Sequence, residues 1–152
     1  MGEESHMLVR PIEILLVEDN PGDVRLTQEA FRGAHRAVNF HVAADGVEAM
    51  AFLRRTGSNS RAPRPDLILL DLNLPKMDGR EVLALIKGDA SLKMIPTVIL
   101  TTSDADADIV KGYQLQANCY LTKPVQLEAF EALVQSITDF WLTKVKLPRA
   151  PK

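Results

Sequence analysis

Four apolar runs in this 152-residue chain end in side chains suited to polar chemistry. Ile12 to Val17 runs into Glu18 and Asp19, and Leu67 to Leu70 runs into Asp71. Pro96 to Leu100 ends in the hydroxyls of Thr101 and Thr102, and Cys119 to Thr122 ends at Lys123-Pro124. Gathered carboxylates repel one another unless a positive charge sits among them, and such oxygen ligands suit a hard dication. Magnesium (Mg2+) is the natural guest, because it takes a few carboxylates, waters and a phosphoryl oxygen, leaving one acid free as nucleophile. Lys123 can neutralise a second phosphoryl oxygen and Thr101 can hydrogen-bond a third. The chemistry this set can assemble is phosphoryl transfer onto a carboxylate.

That outcome requires elements that bring the four run ends together. Leu67 to Leu70 is too short for a helix and does not alternate, which is how a parallel strand covered on both faces reads. Ile12 to Val17 and Pro96 to Thr102 read the same way, Asn39 to Ala43 alternates like a strand nearer an edge, and Cys119 to Thr122 is a fifth short strand. Helices are predicted between them: one opened by Asn20-Pro21-Gly22-Asp23 with Val24, Thr27, Gln28 and Phe31 at helical spacing, and one after Asp45-Gly46. A third covers Glu81 to Lys87 after a turn at Pro75 and a cap at Asp78. A fourth, over Asp104 to Gln116, is weakly apolar, and a fifth runs from about Gln126 to Lys146. Strands alternating with helices specify an α/β fold, a doubly wound five-stranded parallel sheet with right-handed crossovers. All strands then point one way, so Glu18, Asp19, Asp71, Thr101 and Lys123 collect at the carboxyl edge, where such sheets bind ligands.

Composition narrows the class. With 46% hydrophobic and 25% charged residues the chain is average for a globular domain, and one core suffices. A formal charge of -2 argues against a nucleic-acid surface, and no apolar run reaches membrane-spanning length. One cysteine, Cys119, forms no internal disulfide, so a cytoplasmic location is expected. His6, His35 and His41 show no metal-ligand spacing. Residues 1–10, in which Ser5-His6-Met7 resembles a cloning scar, are set aside, 11–146 form the domain, and 147–152 read as a short tail. Gly57 to Pro65 is a surface loop. Asp104, Asp106 and Asp108 recur like a calcium loop but lack its glycine and closing glutamate, so a capped, solvated helix start is expected.

Glu18-Asp19, Asp71, Thr101 thirty residues later and Lys123-Pro124 twenty-two beyond that resemble the receiver domain of response regulators, a match covering about residues 12 to 140. The resemblance implies the flavodoxin-like strand order 2-1-3-4-5, Asp71 as phospho-acceptor, and Glu18, Asp19, Asp71 and the backbone carbonyl of Asn73 as the metal shell. It selects Thr101 over Thr102, pairs it with Tyr120 as a switch, and implies a cis bond at Lys123-Pro124. The family commonly has two aspartates after strand one; here Glu18 fills the first place. Val17 to Asp23, Asp71 to Pro75, Ala117 to Tyr120 and Phe140-Trp141-Leu142 further resemble stand-alone regulators associated with bacterial and cyanobacterial phytochromes. A histidine kinase, light-sensing by that likeness, is therefore the expected partner. The message is expected to leave by contact with a further protein, since 147–152 is too short to fold alone.

Other readings of the same fold fare worse on these residues. A flavin phosphate would be repelled by Glu18-Asp19, and an aspartyl phosphatase would want a second acid where Asn73 stands. A single-domain regulator or phosphorelay carrier for another kinase uses the same residues. The chain is not expected to turn over a substrate beyond its own phosphorylation and dephosphorylation. A helix from Gln126 to Lys146 would span about 30 Å against about 17 Å for a five-residue strand. Its overrun predicts that Phe140 and Trp141 lack cover of their own and favour a homodimer.

Overall fold

The computed structural model describes residues 10–33 and 36–148, so the segment Ser5 to Met7 and His35 lie outside the described residues. Five parallel strands form one sheet: β1 (Ile12–Val17), β2 (Val38–Ala43), β3 (Leu67–Leu70), β4 (Thr97–Thr101) and β5 (Cys119–Thr122), in the order β2-β1-β3-β4-β5. Five α-helices connect and close them: α1 (Pro21–Arg32), α2 (Gly46–Arg54), α3 (Gly79–Gly88), α4 (Asp106–Gln114) and α5 (Leu127–Asp139).

The central strands are buried on both faces, and their side chains alternate between two cores. Leu15, Val17, Ile68, Leu70 and Ile99 face the layer holding Met50, Leu53, Val82, Leu83 and Ile86. Ile14, Leu16, Leu67, Leu69, Val98 and Leu100 face Phe31, Phe130, Val134 and Ile137. All four β3 side chains are fully buried, each contributing about 1.5–3 kcal/mol relative to exposure. This explains an unbroken apolar run: a strand sandwiched between helices has no solvent face for polar residues to occupy.

Helix starts are fixed by side-chain caps where the sequence offers them. Asn20 accepts from the Asp23 amide at 3.1 Å, Asp45 from that of Glu48 at 2.8 Å, and Asp78 from that of Arg80 at 3.0 Å. The loop after β3 is wedged between helices by two glycines. A Cβ on Gly79 would collide with the Asp71 carbonyl and lie 2.6 Å from Leu72 Cα, and one on Gly46 would lie 2.7 Å from Met77 Cβ.

Three features differ from the sequence expectations. The last helix is not a straight rod to Lys146: α5 ends at Asp139 and gives way to a π turn over Phe140–Lys144, with the Val145 amide bonded to Phe140 O at 3.0 Å. Widening the helix by a residue rotates the apolar stripe back toward the sheet, so Leu142 is buried and Trp141 and Leu147 pack against the second core. The packing thus runs one residue into the expected tail. α4 begins at Asp106 behind an N-cap residue, Ala105, that makes no side-chain cap bond, so the aspartates are not acting as its cap. Finally, no described peptide bond is cis, the Lys123-Pro124 bond included; trans is the form favoured by about 0.5–1 kcal/mol for bonds to proline. Among the described residues, no helix is long and apolar enough to cross a membrane.

Candidate functional site

Strand register places the reactive residues. Val17 pairs with Leu70, so Glu18 and Asp71 leave the sheet side by side, with the Asp71 amide donating to Val17 O at 3.0 Å. Leu70 pairs with Ile99, Thr101 with Thr122, and the Lys123 amide donates to Thr101 O at 2.7 Å. Thr101 and Lys123 therefore arrive at the same edge from the other side.

Asp71 is 7% exposed and both of its oxygens are engaged. Oδ1 accepts from Thr101 Oγ1 at 2.8 Å and from the Asn73 amide at 3.1 Å, while Oδ2 accepts from Lys123 Nζ at 3.0 Å. Thr101 is fully buried and Thr102 exposed, so the hydroxyl at Asp71 is that of Thr101. Lys123 Nζ also pairs with Glu18 and, at 3.0 Å, with Asp23 Oδ2. One ammonium is shared by three carboxylates. Glu18, Asp19 and Asp71 bring one oxygen each within 4.8 Å of the others; Glu18 and Asp71 are buried and Asp19 faces solvent.

The electrostatics follow from that sharing. Burial is the largest influence on Glu18 and, helped by the Asp71 charge, raises its pKa from 4.5 to about 7 against the opposing hydrogen bond and charge of Lys123. Burial alone would lower the pKa of Lys123, but its hydrogen bond to Glu18 and the charges around it hold it above the ordinary lysine value. Lys123 thus stays cationic while Glu18 holds its proton well above the ordinary carboxylate range. A dication fits the donor set: three convergent carboxylate oxygens, one open to solvent, have a single cation among them.

Tyr120 sits beside this centre. Its hydroxyl donates to Ser103 O at 2.9 Å, and burial pushes the phenol above its ordinary pKa. Phe140 is 54% exposed and stacks edge-on with Trp141, ring centroids 5.6 Å apart.

The structure brings the expected Glu18, Asp19, Asp71, Asn73, Thr101 and Lys123 together at one edge and adds Asp23, which the sequence reading missed. The signal was present: an acid in the first turn of a helix that leaves directly from a strand tip carrying acids. Its reading as part of a helix opening concealed that the turn at Asn20 returns it toward the sheet edge. Also missed were Ser103, Asp108 and Arg80, which surround Tyr120.

Comparison with known proteins agrees with this geometry. The receiver-domain family model, described as "Response regulator receiver domain", matches residues 14–135. The chain is 49% identical over 150 residues to the response regulator Rcp1 of Synechocystis sp., covering 99% of this chain and 100% of that protein. The crystal structure of the Mn(2+)-bound form of Rcp1 has a TM-score of 0.90 at 50% identity, over 91% of this chain and 100% of that one. That of the phosphorylated cyanobacterial phytochrome response regulator RcpA also has a TM-score of 0.90 at 50% identity, over 92% and 100%. With Asp71, Glu18, Asp19, Thr101 and Lys123 all at the carboxyl edge of a 2-1-3-4-5 sheet, the chain belongs to the response regulator receiver domain family.

Proposed function

We propose that the chain is a single-domain response regulator that takes a phosphoryl group from a histidine kinase onto Asp71 and signals by a change of surface. The observation that carries this reading is the Asp71 carboxylate itself, gripped by Thr101, Asn73 and Lys123 between two further acids. In the transfer, an Asp71 oxygen bonds to phosphorus as the phosphorus–nitrogen bond to the kinase imidazole breaks, and the imidazole leaves with its electron pair. Lys123 and Thr101, already within hydrogen-bond reach of Asp71, orient and neutralise the incoming phosphoryl oxygens. Glu18, Asp19, Asp71 and the Asn73 carbonyl would hold Mg2+, whose charge offsets that of the transferred group. Thr101 moves with the phosphoryl group and Tyr120 follows, passing the change to the loop after β4.

Likeness to RcpA, named as a phytochrome response regulator, favours a bacterial phytochrome as the kinase, acting in the cytoplasm. The surface then binds a downstream protein. Exposed Phe140, with Trp141 anchoring it to the core, supports a homodimer through the last helix. The test is labelled acyl phosphate or phytochrome kinase with labelled ATP: wild type takes one label in a Mg2+-dependent reaction and Asp71→Asn takes none. Stoichiometric label on that variant, or label undiminished by chelator, sinks the assignment. Sedimentation of Phe140→Ala at micromolar concentration should show a monomer where wild type shows a dimer.

A further inference from the structure

Thr101 and Tyr120 are not the only connection between the acceptor and α4. Arg80 follows Gly79, the residue that lies directly against the Asp71 carbonyl. Its backbone amide and its Nη1 are both held by Asp78, each at 3.0 Å. From that anchor, Nη2 reaches across to Asp108 Oδ1 at 2.8 Å, in the first turns of α4. The second oxygen of Asp108 accepts from Ser103 Oγ at 2.6 Å, and Ser103 O accepts from Tyr120 at 2.9 Å. Ser103 is therefore held from both ends, by Tyr120 through its carbonyl and by the Asp108–Arg80 pair through its hydroxyl.

We propose that Arg80 is a positioning residue: its fork between Asp78 and Asp108 forms a second coupling between the acceptor loop and α4, parallel to Thr101 and Tyr120 and meeting it at Ser103. Arginine suits this role because its planar fork binds two carboxylates in fixed directions, where lysine offers a point charge. The arrangement is specific within the aspartate-rich stretch, since Asp104 and Asp106 are exposed and make no side-chain hydrogen bond or ion pair among the described residues, whereas Asp108 accepts a hydrogen bond from Ser103 and forms an ion pair with Arg80. It also acts where little else holds. Among the residues of α4 only Gly112 is buried, so polar ties are a large share of what fixes the helix. The Tyr120 ring packs close to that glycine: a Cβ there would lie 3.0 Å from Tyr120 Cδ2 and 3.0 Å from Ile99 Cδ1.

The inference rests on Asp71 being the acceptor, and the experiment separates the two. Beryllofluoride with Mg2+ is the probe, its binding read from the fluorine resonance and its effect from amide exchange over residues 102–114. Arg80→Gln should bind the probe as wild type does yet show an exchange response smaller by about half, and Tyr120→Phe a similar partial loss. The double variant should lose the response, while Asp108→Asn should match Arg80→Gln and add nothing to it. A wild-type-sized response in Arg80→Gln, or additive losses for Arg80 and Asp108, overturns the coupling. If wild type binds no beryllofluoride, the acceptor reading fails on its own account. The coupling then stands or falls on the unmodified protein, where Arg80→Gln must speed exchange at 103–108 by about fivefold and unchanged exchange overturns it.

Discussion

The two flanks of Asp71 are built differently. On one side, β3 is buried throughout and α3 buries Val82, Leu83 and Ile86 against the sheet. On the other, the apolar residues of β5 are only partly buried, and α4 carries Val110 and Tyr113 at 54% and 52% exposure. The chemistry requires groups held to within tenths of an ångström, which packed apolar surface supplies. A response requires an element that can shift at small cost, and hydrogen bonds and ion pairs over a thin apolar contact allow that. The receiver thus divides its architecture between a flank that holds and a flank that yields.

Breaking the packed flank should have the largest effect. Leu83→Ala leaves a cavity in a fully buried site and is expected to lower stability by about 2–5 kcal/mol in urea unfolding, while Val110→Ala on α4 should change it by less than about 0.5 kcal/mol. Equal costs would mean the flanks are not distinct.

Two glycines sharpen the contrast. Gly79→Ala drives a methyl into the backbone of Asp71 and Leu72, so about 1–3 kcal/mol of stability and most of the labelling should be lost. Gly112→Ala meets side chains rather than backbone, the Ile99 Cδ1 methyl and the edge of the Tyr120 ring, each of which would have to shift by only a few tenths of an ångström. Its stability should fall by less than about 1 kcal/mol and its labelling should stay near wild type. Its amide exchange near Ser103 should rise.

The smallest expected effect is a pH dependence arising at the edge between the flanks. Glu18 is held near 7 in the folded chain against an ordinary 4.5, so between those values the folded state keeps a proton that the unfolded state has released. Metal-free stability should therefore fall as pH rises through that window and level off above it. A bound dication displaces the proton, so Mg2+ affinity should rise over the same range and then plateau. Glu18→Gln should flatten both curves in thermal unfolding and calorimetric titration.

The sequence displayed the holding flank far better than the yielding one. Buried parallel strands must be apolar along their whole length, so β1, β3 and β4 and the acids at their tips stand out as runs and interruptions. Lys123 and Asp23 meet across one hundred positions of chain, and the local signal at Asp23, an acid in a first helical turn, does not say which distant cation it meets. Asp108 looks in sequence like any solvated helix-start acid, and only the fold brings Arg80 to it. The π turn after Asp139 escaped for a similar reason: Phe140-Trp141-Leu142 has no breaker, and the widening is chosen by where Leu142 and Trp141 find the core.

The placement of Trp141 has a practical optical consequence. It is the only tryptophan in the chain, and it lines a cleft with Arg10 and Ile12, at the start of β1 rather than the end where Glu18 and Asp19 lie. Indole emission is thus a spectroscopic readout of core integrity with no direct contact to Glu18 and Asp19. Unfolding can be followed by fluorescence in the presence of a paramagnetic cation such as Mn2+ without contact quenching at the reporter. Any emission change on cation entry below the unfolding range would then report a change carried from the carboxyl edge of the sheet to its opposite end.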